Sequence, residues 1–145
     1  MATINNLVGG TGVYPANDVH QSFVMSNSID CSETNITAAD VVQMISIPAG
    51  TFVQRVEINV TTAEGATLTL DVGDDVDPDG YMDGVDGNAV AVYGSDLALV
   101  EGTPNTVLGF TAGKRYTGNN TVDITFNDNA STAVIEMRVI CFDMN

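Results

Sequence analysis

The residues best able to do chemistry sit together in GDDVDPDGYMDGVDG, residues 73–87. Counted from Asp75, carboxylates recur at the first, third and fifth places (Asp75, Asp77, Asp79), and Gly80 follows at the sixth, where a calcium loop of EF-hand type needs a sharp turn. Tyr81 would offer its carbonyl at the seventh place, and Asp83 and Asp86 fill the ninth and twelfth. Calcium accepts roughly six to eight oxygens at flexible geometry, so alternating carboxylates on a loop wrapped round one point could supply its shell. Three features depart from that pattern. The segment leaves a strand and has no flanking helices, the twelfth place holds Asp where a bidentate Glu is usual, and Pro78 stiffens the loop. Asp, Gly and Pro also build solvated turns that hold no ion. Calcium is therefore the candidate cofactor, and a plain acidic turn is the competing reading.

Other reaction chemistry finds little footing. The one histidine, His20, lies beside Asp18 and Gln21 in a segment without periodicity, and a lone histidine there is a poor general base. The chain has no nucleophile elbow, phosphate-binding glycine loop or His-rich metal motif. A glycosidase would need two acids facing across a cleft, which carboxylates adjacent in one loop do not provide. No enzyme is expected.

Charge narrows the partners. Among 145 residues, 19 acidic side chains oppose four basic ones, Arg55, Lys114, Arg115 and Arg138, for a net charge of −15. Nucleic acid and anionic membranes repel such a surface. Seven carboxylates fall between Asp71 and Asp86, so the repulsion is local and calls for a cation or a basic partner there. Lys114-Arg115-Tyr116 holds half of the positive charge and reads more simply as a solubilising loop than as a dock for acids. No apolar stretch approaches the roughly 20 residues of a membrane-spanning helix, and the N-terminus lacks signal-peptide features, so synthesis in a cytoplasm is expected. In that reducing setting Cys31 and Cys141 read as small buried hydrophobes rather than a disulfide.

The elements that must carry the acidic loop are strands. In FVQRVEINV, Phe52, Gln54, Val56, Ile58 and Val60 alternate with Val53, Arg55, Glu57 and Asn59, the period-two pattern of a half-buried strand. ATLTLDV turns Leu68, Leu70 and Val72 inward, and AEGA between the two runs reads as a hairpin turn. TVDITF places Val122, Ile124 and Phe126 on one face. Alternation resumes from Ala133 to Phe142 with Glu136 and Arg138 outward, and NDNAST joins these runs as a turn. Further strands are expected near 21–29, 43–48, 89–93, 97–100 and 106–111. ITAADVVQ could form one helical turn capped by Thr37, with Asp40 three residues on. The expected fold is all-β: an antiparallel two-sheet β-sandwich, jelly-roll-like, with an extended N-terminal arm over 1–20 and a single domain over 21–145.

The run SIPAGTFVQRVEINVTTAEGATLTLDVGDDVDPDGYMDG, residues 46–84, resembles small head proteins of tailed bacteriophages, in which an IPAGT-like turn leads through a Thr-rich hairpin to a Gly-Asp-Asp-x-Asp-Pro-Asp-Gly-Tyr-like loop. The resemblance covers about a quarter of the chain, and it implies a β-rich capsid decoration (cement) protein, commonly a homotrimer, seated on the virion exterior and bridging major capsid protein subunits. Three copies at −15 each would total −45, so their acidic loops must point apart or share cations. A phage tail or fibre-associated receptor-binding module is the neighbouring alternative, though a fibre shaft usually carries repeats and this chain has none. A calcium-dependent carbohydrate-binding module is a third, weakened by the lack of Trp and by only four Tyr. If the Asp75–Asp86 pattern holds calcium, adding calcium will raise the melting temperature, and an unchanged melt with and without chelator removes the site.

Overall fold

The computed structural model describes residues 1–8, 22–95, 109–110 and 112–144. The remainder of the expected arm with His20, and the strand expected over 97–100, lie outside the described residues, as does most of 106–111, of which Gly109 and Phe110 stand in a turn. The described residues form strands and turns without helix.

Ten strands are described: β1 (Thr3–Val8), β2 (Ser22–Asp30), β3 (Val41–Ile47), β4 (Thr51–Thr62), β5 (Thr69–Gly73), β6 (Met82–Asp86), β7 (Ala91–Gly94), β8 (Lys114–Arg115), β9 (Asn120–Phe126) and β10 (Val134–Asp143). One sheet, called A here, runs β1-β3-β9-β5-β6; the other, B, runs β2-β10-β4-β7, with β8 on the end of β4. All pairings are antiparallel except β1 with β3, which is parallel. The order is nested: β2 lies beside β10 and β3 beside β9, so early strands pair with late ones and successive strands mostly change sheet.

Period-two alternation gives each sheet an apolar inner face, and the two faces close on one core. Leu68, Leu70 and Val72 from the β5 region, Val122, Ile124 and Phe126 from β9, and Ile135, Met137, Val139 and Cys141 from β10 are all fully buried. Cys31 and Cys141 are buried free thiols, as expected, and burial pushes both up to about 12.

Three local expectations are corrected. AEGA is not a hairpin turn: β4 belongs to sheet B and β5 to sheet A, so the chain crosses the core there. NDNAST joins β9 to β10 as expected, and it too passes from sheet A to sheet B. Alternation says which side chains point inward, and two strands facing each other across a core satisfy it as well as two neighbours in one sheet do. The phase of β4 also breaks. Val53, Val56, Ile58 and Val60 are buried, whereas Gln54 is exposed and Phe52 half-buried. Cys141 pairs with Val53 and Ile140 with Arg55, which leaves Gln54 as the extra residue of a bulge that shifts the inward set by one.

The helical turn at Thr37 is a non-helical turn held by Asp40. One carboxylate oxygen accepts the Thr37 N–H and hydroxyl, both at 2.9 Å, and the other accepts the Ala2 N–H at 2.9 Å, tying the entry of β1 to that of β3.

Glu64 fastens the two crossings together. Its carboxylate accepts N–H groups from Ser131 (2.9 Å), Thr132 (2.8 Å) and Ala133 (2.7 Å) and the Ser131 hydroxyl (3.1 Å). Burial opposes its ionisation, but these donors together outweigh burial and hold the carboxyl below the usual range. Glu64→Ala will leave three backbone donors unpaired and lower unfolding stability by about 1–3 kcal/mol, read by denaturant melts at neutral pH.

Candidate functional site

The acidic loop is organised by a residue that the calcium pattern passes over. Asp74 follows β5 directly, and its side chain is completely buried. Its Oδ1 accepts the N–H groups of Val76 (3.0 Å) and Asp77 (3.1 Å), which curls the chain into a turn. Its Oδ2 accepts the Tyr116 hydroxyl at 2.8 Å and pairs with the Lys114 ammonium. The Tyr81 and Tyr116 hydroxyls meet at 3.0 Å, so carboxylate, cation and two phenols form one enclosed network. Burial alone would raise the Asp74 pKa, but Lys114, Tyr116 and the two N–H groups outweigh it and hold the carboxyl below its ordinary value.

Aromatic rings wall this network. The Lys114 ammonium lies 3.9 Å from the centre of the Phe110 ring and 5.0 Å from that of Tyr116, within cation–π range. Phe110 meets Tyr81 edge to face at 4.9 Å. Burial pushes both phenols above their usual range.

Two glycines allow the loop to pack so tightly. A Cβ on Gly73 would stand 2.0 Å from the Asp77 carbonyl oxygen, and one on Gly80 would stand 2.4 Å from the Phe110 ring. Gly73 therefore lets the turn fold back on its own strand, and Gly80 lets Phe110 cover it.

The sequence-predicted ligands are spread over a turn and a strand. Asp75 is exposed and accepts a hydrogen bond from Asn120 at 2.6 Å. Asp77 lies against the carboxyl of Asp79, a contact that raises its pKa, with burial adding to the shift. Tyr81 buries its whole side chain in the core. Asp83, on β6, is exposed beside Asp71, and its pKa is raised by burial and by the Asp71 charge. Asp86, at the end of β6, accepts the Asn88 N–H at 2.8 Å and its side-chain amide at 3.0 Å. Among the described residues no three acidic, histidine or cysteine side chains come together as a metal-holding group.

Lys114 is no mere solubiliser: with Tyr116 it reaches inward from β8 to Asp74, joining sheet B to the loop that leaves sheet A. Its spacing carried that signal, since residues two apart on a strand share a face. All four basic residues stand on or beside sheet B, on β4, β8 and β10. There Arg55 pairs with Glu57 at 3.1 Å, and Arg138 with Glu136 at 3.1 Å and Glu57 at 3.7 Å. The seven carboxylates from Asp71 to Asp86 belong to sheet A and its β5–β6 loop, so the molecule has an ion-paired side and an acidic side.

No protein-family model and no curated protein sequence matches this chain. Its fold is similar to chains in three solved phage capsids. In the capsid asymmetric unit of cyanophage Pam1 the likeness covers 89% of this chain and 89% of that one, at 21% identity and a TM-score of 0.62. In the capsid of Ralstonia phage GP4 it covers 99% and 98%, at 15% identity and a TM-score of 0.66. In the acidic stable capsid of Helicobacter pylori bacteriophage KHP30 it covers 86% and 90%, at 18% identity and a TM-score of 0.59.

Lys114→Met will leave Asp74 buried without a cation and cost about 3–5 kcal/mol of stability. Adding Asp74→Asn will recover part of that loss, which a double-mutant cycle of urea melts will show. The stability that ionised Asp74 supplies is present above the unfolded carboxylate value and is lost as pH falls through its lowered folded value.

Proposed function

We propose that this chain is a capsid decoration (cement) protein of a tailed phage, a homotrimer on the virion exterior that bridges major capsid protein subunits and works through its surfaces rather than through a reaction centre. The observation that carries the reading is the shared fold: chains of phage capsids follow this one over 86–99% of its length, end to end rather than over a fragment. The sequence resemblance over residues 46–84 points the same way from different information.

The physical character of the molecule supports that role. A cement subunit must hold its shape while loaded from several sides, and here two sheets are tied at one place by Asp74, Lys114 and Tyr116 and at another by Glu64. The nested strand order, with β2 beside β10 and β3 beside β9, supports reading the sandwich as a jelly roll. The distribution of charge supports a fixed orientation. Copies carrying −15 repel one another through their acidic sides, and their ion-paired sides are the ones that can approach another protein surface at least electrostatic cost.

Mixed with capsids of its own phage that lack it, the protein will sediment with the particles in fixed stoichiometry to the major subunit. It will also raise the temperature at which those particles rupture. Recovery of only a few copies per particle would assign it to the tail, and no recovery would end the reading.

A further inference from the structure

Among the described residues, Asp123 is a carboxylate that the fold buries with one oxygen left without any hydrogen-bond partner. It stands in the middle of β9, opposite Gln43 of β3 on one side and Gly73 of β5 on the other, and is 7% exposed. Thr121, on its own strand, is its hydrogen-bonding neighbour, while its Oδ1 is enclosed without any partner. Gly73 contributes no side chain, and over that glycine folds the turn that begins at Asp74.

The charged groups around it give it no relief. β3 carries none at all. β5 brings Asp71, with Asp83 of β6 against it, and then Asp74 and Asp75 at its exit, whose charges both act on Asp123. Of the two cations on β8, Lys114 is engaged with Asp74 and Arg115 is exposed. Asp75 is held by Asn120, three residues before Asp123.

We propose that Asp123 stores a single proton beneath the 74–81 turn, and that release of this proton loosens the turn and the Asp74 network above it. As a neutral acid the side chain is compatible with its enclosure, and its own O–H can satisfy a buried acceptor. Ionised, it becomes an unpaired buried charge facing Asp74 and Asp75, and the accessible response is for the turn to lift and admit water. The device is thus tight in acid and loose toward neutrality, opposite in sign to the hydrogen-bonded carboxylates Asp40, Glu64 and Asp74, which the fold stabilises in the ionised form.

The sign and window follow from linkage. Burial raises the folded value from 3.8 to about 6; the Thr121 hydrogen bond is the next largest influence and opposes it, and the charges of Asp74 and Asp75 add to the rise. Below the unfolded value both states hold the proton and nothing is lost. Between the two values the folded state keeps a proton that the unfolded state has released, so stability falls as pH rises through this window and stays lower above it.

Asp123→Asn keeps the shape and removes the titration. The melting temperature of the variant minus that of the native protein is expected to be smallest near pH 4, to climb through pH 6 and to level off above it. Hydrogen exchange of the Val76 and Asp77 amides, corrected for intrinsic rate, is expected to quicken across the same range in the native protein and to stay level in the variant. A difference curve that is flat across pH would overturn the proposal. Should the variant not fold, the carboxyl carbon of Asp123 in the native protein decides: an NMR midpoint near 6 supports the store, and one in the ordinary carboxylate range refutes it.

Discussion

A carboxylate removed from water must be given donors or a cation, and the buried Asp74 is where this fold meets that demand most fully. Two backbone N–H groups fix the turn that follows it, a tyrosine hydroxyl reaches it from the opposite side of the core, and Lys114 neutralises it. Because Lys114 and Tyr116 lie at β8 on sheet B and Asp74 at the exit of β5 in sheet A, meeting this one charge also fastens the two sheets together. The aromatic wall of Phe110, Tyr81 and Tyr116 lowers the local dielectric, which strengthens the pair and makes its loss costly.

Sequence periodicity was a good guide to what each strand buries and a poor guide to what it pairs with. Leu68, Leu70, Val72, Val122, Ile124 and Phe126 point inward as alternation requires. The same alternation made β4 and β5 look like a hairpin, because a facing strand across the core and a neighbour in the same sheet demand the same pattern. A Gly-containing connection could serve either. At β4 the bulge at Gln54 moved the inward set by one residue, and no local propensity announces a bulge whose cause is the register of β10.

The acidic segment was conspicuous in sequence, but its working parts were not. Counting carboxylates from Asp75 highlighted the exposed ones, whereas Asp74 is distinguished only by a partner 40 residues away. Asp123 is just as quiet. It sits at an outward position of an otherwise regular strand, and its burial follows from the glycine on the neighbouring strand and the turn folded over it. Glu64 looks like part of a turn in sequence, because the connection it clamps lies 67–69 residues away. In each case the missing information is long-range contact, which composition and spacing do not carry.

Taken together, the acidic side, the ion-paired sheet B and the cross-braced core describe a rigid body with two electrostatically different sides, suited to being placed in one orientation on a larger surface. The most direct test is a cryo-EM reconstruction of the native particle at a resolution that traces strands. The account predicts this sandwich outside the shell, at the junctions between major capsid subunits, in three-fold groups with the 71–86 side turned away from its copies. Finding the sandwich inside the shell, confined to the tail, or absent from the particle would contradict it.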